Sequence, residues 1–128
     1  MKTAALIFGL VLLGSDDVAV AQSGSPLAGA ATFRLNCSPC HSKEPGRNSI
    51  GPSLYGVVGR PAASLSGYSY SPAMQATHIV WTEQNIANFL SSPATRVPGT
   101  KMTFVGIPEA DRRDDLVAYL KTLQAPAD

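Results

Sequence analysis

The most informative stretch of the sequence is Cys37-Ser38-Pro39-Cys40-His41, which contains both cysteines of the 128-residue chain. Two residues separate the cysteines, and a histidine directly follows the second one. A disulfide between them would close a very short loop and would remove little entropy from the unfolded chain. The two thiols are therefore expected to do chemistry rather than to hold the fold together.

Three kinds of site use two cysteines at this spacing: a thioredoxin-like redox pair, a zinc site and a covalent haem attachment site. A structural zinc ion takes four nitrogen, sulfur or oxygen ligands, and His78 is the only further histidine. A redox pair is expected beside a strand in a βαβ pattern, and no run of β-branched residues precedes Cys37. Haem attachment explains the whole motif, because Cys37 and Cys40 form thioether bonds and leave His41 beside the iron.

A haem iron that carries electrons keeps both axial positions filled, and methionine opposite histidine is one such pair. The candidates for the second ligand are Met74, His78 and Met102. Met102 follows the turn signal Pro98-Gly99, so it lies on a loop that can be shaped around the iron. Ligand type and loop context favour Met102. Met74 and His78 remain open from the residues alone, since methionine also fills gaps in cores.

The first 21 residues have the three parts of a secretory signal peptide. A lysine comes second, residues 4–14 are apolar, and Ala19 and Ala21 are small residues suited to a cleavage site. The alternative is a membrane anchor, but a run of 11 residues is too short to cross about 30 Å of hydrocarbon as a helix. We expect a signal peptide over 1–21, a haem-binding domain over 22–128, and export to the periplasm.

The composition indicates one small domain with a thin core. Ten basic and nine acidic side chains give a net charge of +1, which excludes a nucleic-acid binder that relies on bulk positive charge. Four Phe, four Tyr and one Trp stand beside 11 Gly and 10 Pro, and domains of this size bury a limited share of their surface. A bound group is therefore expected to complete the core.

Apolar spacing predicts helices near both ends of this domain. The first is expected over residues 27–36, with Gly29 allowing close approach to Tyr119 of the last helix. Its expected buried stripe consists of Leu27, Ala30, Ala31 and Leu35. The last helix is expected to begin at Pro108, since proline is tolerated at the first helical position. Its expected apolar stripe consists of Leu116, Leu120 and Leu123.

A third helix is expected from the cap residue Thr82 through Ser91. Its expected cofactor-facing residues are Ile86, Phe89 and Leu90. Residues 42–66 are rich in glycine and proline and are expected to form an ordered loop. The predicted fold is therefore all-α, with helices and long loops wrapped around one covalently bound haem.

The sequence closely resembles the class I cytochromes c over residues 27 to 123. The motifs that carry the resemblance are residues 37–41 (CSPCH), residues 51–60 (GPSLYGVVGR), residues 67–70 (GYSY) with Trp81 further on, and residues 98–106 (PGTKMTFVG). The resemblance implies a class I cytochrome c fold and a monohaem cytochrome c domain over 22–128. It also implies that His41 and Met102 are the two iron ligands.

The resemblance assigns roles to further residues around the haem. It implies that the Pro52 carbonyl accepts the Nδ1–H of His41, an arrangement that fixes the ring of a ligating histidine. Partners of the haem propionates, or of the water beside them, would be Arg60, Tyr70 and Trp81. Thr100 would belong to the same polar lining, and Phe104 would cover the methionine side.

Together with the predicted signal peptide, the resemblance implies a periplasmic one-electron carrier that shuttles between respiratory or dehydrogenase proteins docking at the exposed haem edge. We expect a monomer that is not an enzyme and that binds no nucleic acid. The alternatives are a fixed electron-transfer subunit of an oxidoreductase complex, and a haem peroxidase or sensor with an open iron site.

The chain departs from the family pattern at several positions. Phe89 stands where mitochondrial members have a tyrosine, and Met74 replaces an asparagine. Ala94 and Thr95 stand where the family has lysines, while Lys101 is kept. We therefore expect weak salt dependence and a partner whose surface is not strongly acidic.

Overall fold

The computed structural model describes residues 24–125, so the predicted signal peptide and its cleavage site lie outside the described residues. Five helices follow one another along the described chain. They are α1 Pro26–Asn36, α2 Pro72–Ala76, α3 Glu83–Ser91, α4 Pro93–Arg96 and α5 Ala110–Lys121. Residues 24–125 contain no β-strand, and an isolated antiparallel bridge joins Pro61 to Val80. The predicted all-α class is confirmed.

Helix α1 starts with a serine cap that also ties it to α5. The Ser25 hydroxyl accepts a hydrogen bond from the Ala28 N–H at 3.3 Å, and Pro26 occupies the first turn. The Ser25 N–H donates to Oδ1 of Asp115 on α5 at 2.7 Å. The same residue therefore fixes the start of α1 and its position against α5.

Helices α1 and α5 pack closely at Gly29, as the sequence predicts. A Cβ on Gly29 would overlap the carbonyl oxygen of Asp115 and would lie 2.8 Å from the Tyr119 Cβ. The rings of Phe33 and Tyr119 pack with their centroids 5.2 Å apart. The missing side chain thus sets the distance between the two helices.

The predicted buried stripe of α1 was wrong. Leu27 is 85 % exposed and Leu35 is 71 % exposed, Ala31 is also exposed, and Ala30 is half-buried. The buried residues of the helix are Gly29, Thr32 and Phe33. Because α5 approaches α1 at its glycine, the helix face that contains this glycine is turned inward, and the leucines are turned to solvent.

Helix α5 begins at Ala110, after the start that was predicted at Pro108. Glu109 precedes the helix in an extended conformation. The carbonyl oxygens of Ile107 and Pro108 each accept a hydrogen bond of 2.7 Å from Nη1 of Arg113. These side-chain bonds hold Ile107 and Pro108 outside the helix and place its start after them.

The remaining helix predictions agree with the structure. The Thr82 hydroxyl caps α3 by accepting from the Asn85 N–H at 3.1 Å, and α3 ends at Ser91. Leu116 and Leu120 of the predicted stripe are buried in α5, and Leu123 is buried just after the helix ends at Lys121. An ion pair of 2.8 Å between Glu83 and Lys121 joins α3 to α5.

Residues 42–66 form a loop without helix, as predicted. Gly46, Gly56 and Gly59 have φ values of 67°, 65° and 88°, a region that residues with a Cβ rarely adopt. The helices in residues 24–125 are all too short or too polar to cross a membrane.

Candidate cofactor cavity

A cavity of about 330 Å³ is enclosed by the end of α1, helices α2, α3 and α5, and the loops between them. All ten residues predicted to contact the cofactor line this cavity. They are Cys37, Cys40, His41, Pro52, Arg60, Tyr70, Trp81, Thr100, Met102 and Phe104. The sequence motifs therefore meet in one place, although they lie far apart along the chain.

The two thiols lie at the end of α1. Cys37 is the residue that follows the helix, and its carbonyl oxygen accepts from the N–H groups of Cys40 and His41 at 3.0 and 2.9 Å. This tight turn brings all three side chains to the cavity wall. Burial raises the pKa of the Cys37 thiol to about 11, and the charge of Cys40 adds to the shift.

His41 is held by the backbone of Pro52. Its Nδ1 lies 2.7 Å from the Pro52 carbonyl oxygen, and a carbonyl only accepts, so Nδ1 donates its proton there. Nε2 is then the nitrogen that can bind a metal ion. Burial lowers the pKa of His41, the bond to Pro52 opposes this, and the charge of Arg60 lowers it further. The neutral imidazole that a metal ion requires is therefore favoured.

Gly51 fixes the ring of His41 from a second direction. A Cβ on Gly51 would overlap Cε1 of the imidazole and would lie 2.6 Å from Nδ1 and 2.7 Å from Nε2. The Gly51 N–H also donates to the Cys40 carbonyl at 2.8 Å. The orientation of the imidazole is thus set by backbone contacts of residues 51 and 52.

Met102 lies on the loop predicted from the Pro-Gly pair. The Thr100 N–H donates to the Val97 carbonyl at 2.9 Å, closing a turn in which Gly99 has a φ of 88°. The Thr100 hydroxyl then accepts from the Met102 N–H at 3.3 Å. Val97 is buried, and Met102 is half-buried at the cavity wall. The methionine is therefore carried by a loop that is anchored in the core.

Arg60 forms a polar part of the wall. Its guanidinium donates to the carbonyl oxygens of Tyr55 and Ser53 at 3.0 and 2.9 Å. Burial lowers its pKa, and Tyr70 opposes this shift. The Tyr70 hydroxyl accepts from the Leu65 N–H at 3.3 Å. Since a guanidinium has five N–H donors, Arg60 retains donors for a further partner.

The two alternative candidates for the second iron ligand differ in position. Met74 of α2 lines the cavity. His78 lies beyond the end of α2, is exposed, has a φ of 53° and is not part of the lining. The structure therefore brings Met74, but not His78, to the same cavity as Met102.

Several lining residues were not predicted as part of the site. They include Asn36, Ile50, Leu54, Val57, Tyr68, Leu116 and Leu120. Leu116 and Leu120 were assigned to helix packing only, although their stripe also reaches the cavity. Tyr68 lies inside a recognised motif, and its hydroxyl donates to the Ile50 carbonyl at 2.8 Å, so the motif was the signal that could have identified it.

The zinc alternative finds no support in the described part of the chain. Within residues 24–125, no three side chains of His, Cys, Asp or Glu are grouped closely enough to hold a metal ion. The cavity wall instead combines two thiols, an imidazole and two thioethers with a mainly apolar surface. This donor set suits a large, flat, apolar group that contains iron.

The sequence of this chain is similar to the sequences of known proteins. The family model for cytochrome c matches residues 27–124. A cytochrome c2 from Rhodopila globiformis is 44 % identical over 104 residues, covering 81 % of this chain and 98 % of the relative. A cytochrome c2 from Blastochloris viridis is 37 % identical over 121 residues, covering 94 % of each chain.

A solved structure shares the fold. Cytochrome cH from Methylobacterium extorquens superposes with a TM-score of 0.73 at 40 % sequence identity. The match covers 77 % of this chain and 99 % of that protein. The helices and the loops around the cavity therefore follow an arrangement that is already known.

Proposed function

The chain belongs to the cytochrome c family, as its motifs predict, and from this membership we propose that it is a periplasmic one-electron carrier with His41 and Met102 as iron ligands. Members of this family carry haem c covalently, and Cys37 and Cys40 fit its C-x-x-C-H attachment motif. Its relatives are electron-transfer proteins rather than enzymes. What we propose beyond family membership is the pair of iron ligands, the cellular compartment and the redox partners.

The observation that carries the proposal is that His41 and Met102 line the same cavity as the two thiols. The hydrogen bond from His41 to Pro52 leaves Nε2 available for iron. Met102 comes from a loop on a different part of the chain. With His41 and Met102 as its two protein ligands, the iron would have no position left for a substrate.

The haem supplies a one-electron iron couple when it is bound. Cys37 and Cys40 would hold it through two thioether bonds, and Pro52 keeps the imidazole of His41 in one orientation. Apolar wall residues such as Leu54 and Val57 exclude water and so set the environment of the iron. Because both ligands are fixed by the surrounding backbone, little has to rearrange when the charge on the iron changes.

Polar residues of the wall are proposed to hold the acidic groups of the haem. A buried carboxylate needs hydrogen-bond donors, because an unpaired buried charge is very costly. Arg60, Tyr70 and Trp81 all line the cavity, and Arg60 retains N–H donors beyond the two it gives to Ser53 and Tyr55. Thr100 and Phe104 are proposed to complete the wall near Met102.

The ligand pair is tested by the optical spectrum of the oxidised, haem-loaded protein. A sulfur-to-iron charge-transfer band is expected in the wild type and is expected to disappear in Met102→Ala. Met74→Leu is the matched control, because Met74 is the other methionine on the cavity wall. Loss of the band in Met74→Leu with retention in Met102→Ala would overturn the assignment.

The compartment is tested by fractionation of cells that make the full chain. The periplasmic fraction is expected to contain a haem protein that begins at Gln22, the residue after the proposed cleavage site. Recovery of the intact chain from the membrane or the cytoplasm would contradict export with cleavage. Reversible one-electron voltammetry of the same preparation tests the carrier function itself.

A further inference from the structure

Tyr68 contacts two loops that lie far apart along the chain. Its hydroxyl donates to the Ile50 carbonyl oxygen at 2.8 Å, and the Lys101 ammonium lies 4.4 Å from the centroid of its ring. The same ammonium donates to the Ser69 carbonyl oxygen, next to the tyrosine. The side chain of one half-buried tyrosine therefore lies between the loop that contains Ile50 and the loop that contains Lys101.

Both partners of this tyrosine are next to backbone that positions a proposed iron ligand. Ile50 directly precedes the Gly51-Pro52 pair, which fixes the ring of His41 through a close contact and a hydrogen bond. Lys101 directly precedes Met102. The contacts of the tyrosine thus join the support of one proposed ligand to the support of the other.

The ring of Tyr68 is also held along its edge. It packs against the ring of Tyr70 with the centroids 4.8 Å apart and the ring planes at 75°. The Tyr70 hydroxyl in turn accepts from the Leu65 N–H at 3.3 Å. Because the face, the edge and the hydroxyl of Tyr68 are all in contact, a displacement of Lys101 is expected to move the whole side chain and its bond to Ile50.

We propose that Tyr68 is a positioning residue that couples the two sides of the iron site, so that opening of the Met102 loop also weakens the hold on His41. This inference rests on the proposed function, because it takes His41 and Met102 as the two iron ligands. Loss of one hydrogen bond or one cation–π contact of this kind changes the ratio of closed to open forms about 2- to 10-fold.

Lys101→Met tests the coupling from the methionine side. It removes the cation from the Tyr68 ring and from the Ser69 carbonyl, so the Met102 loop is expected to open about 2- to 10-fold more often. Cyanide binding to the oxidised, haem-loaded protein measures this opening, since at saturating cyanide the rate is that of Met102 leaving the iron. Lys101→Arg keeps a cation and is expected to restore most of the wild-type rate.

The coupling itself is measured at His41. Exchange of the His41 Nδ1–H with deuterated water, followed by NMR of the reduced protein, reports how often its bond to Pro52 opens. Lys101→Met is expected to speed this exchange about twofold or more, although the contacts of Lys101 are with Tyr68 and Ser69. Faster cyanide binding with unchanged exchange at His41 would show a purely local effect, and the proposal would be wrong.

Tyr68→Phe tests the reverse direction. It removes the hydroxyl that bonds the Ile50 carbonyl and keeps the ring beneath Lys101, and both the exchange at His41 and the binding of cyanide are expected to become faster. Wild-type cyanide binding in this variant would mean that the hydroxyl does not act on the Met102 loop and would overturn the coupling.

Two matched controls separate this effect from the loss of a hydroxyl or a charge elsewhere. Tyr119→Phe removes a tyrosine hydroxyl from a residue outside the cavity lining. Arg34→Met removes a positive charge from an exposed residue that is also outside the lining. Equal acceleration in the control and in the matching variant would remove the special role of Tyr68.

The double variant Tyr68→Phe/Lys101→Met shows whether both changes act through the same side chain. Its acceleration of cyanide binding is expected to be smaller than the product of the two single effects, because contacts that share a partner are not independent. An acceleration equal to that product would mean two unconnected contacts and would overturn the proposal.

The optical spectrum separates failure of this inference from failure of the proposed function. If the wild type has the sulfur-to-iron band and both single variants have wild-type exchange and cyanide rates, only the role of Tyr68 is overturned. A wild type without this band would instead overturn the proposed ligand pair, and the coupling with it.

Discussion

Gly29 and Asp115 are in such close contact that a methyl group on the glycine would overlap the carbonyl oxygen of the aspartate. Gly29→Ala is therefore expected to force α1 away from α5 and to lower the free energy of unfolding by about 1–3 kcal/mol. Denaturant unfolding of the haem-loaded protein measures the change. Leu27→Ala, on the exposed side of the same helix, is expected to stay within about 0.5 kcal/mol of the wild type. Equal stability of Gly29→Ala and the wild type would contradict the close packing.

Gly51→Ala is expected to displace the imidazole of His41. The added Cβ would overlap the ring, while the backbone at this position does not require positive φ, so the effect is steric. The optical spectrum should show partial or complete loss of the His-ligated form. Gly46→Ala is the control, because its Cβ would meet no atom within 4 Å although its φ is 67°. A spectral change in Gly46→Ala alone would argue against this role of Gly51.

Arg113→Met is expected to loosen the segment that follows the Met102 loop. It removes the donor to the carbonyls of Ile107 and Pro108, and leaving a buried carbonyl unpaired costs about 1–3 kcal/mol. The sulfur-to-iron band should therefore disappear at a lower denaturant concentration than in the wild type.

The control for this prediction is Arg112→Met. Arg112 forms an exposed ion pair of 3.5 Å with Glu109, and such pairs contribute about 0–1 kcal/mol. If the band were lost at the same denaturant concentration in both variants, the two carbonyl bonds of Arg113 would have no special role in holding the loop.

Phe89→Tyr is expected to shift the reduction potential. Phe89 is buried, lines the cavity and packs on Trp81 with ring centroids 5.1 Å apart. A hydroxyl there would introduce a hydrogen-bond donor into the cavity that Met102 also lines, and such donors tune haem potentials. Voltammetry measures the shift, with Tyr119→Phe as a variant outside the cavity lining. Identical reduction potentials for the wild type and Phe89→Tyr would contradict the prediction.

Features that depend on neighbouring residues were predictable from the sequence. The turn after α1 is made by hydrogen bonds from Cys40 and His41 back to Cys37, within a few residues. The Thr82 cap is likewise a contact with Asn85, three positions away. Local spacing is enough to specify such contacts.

Features that depend on distant parts of the chain were predicted less well. Leu27 and Leu35 have helical spacing, but which face of α1 is buried is decided by α5, which packs against Gly29. Spacing identifies a stripe without showing what covers it. The predicted start of α5 was wrong for a related reason, since the side chain of Arg113 donates hydrogen bonds to the carbonyl oxygens of the preceding segment.

The residues that line the cavity also divide into those that local motifs identify and those that contacts with distant parts of the chain place there. The ten predicted residues came from motifs, and all ten line it. Ile50 is an isolated apolar residue in a loop that lines the cavity, and its carbonyl accepts a hydrogen bond from Tyr68, 18 positions away. No local pattern marks such a residue.

The position of Cys37 bears on when the haem can be attached. In the folded chain this residue is 8 % exposed and belongs to the same core cluster as Leu116 of α5. Its sulfur is therefore more accessible in a partly folded chain than in the folded one. We expect the haem to be attached faster before α5 has packed against α1 than afterwards.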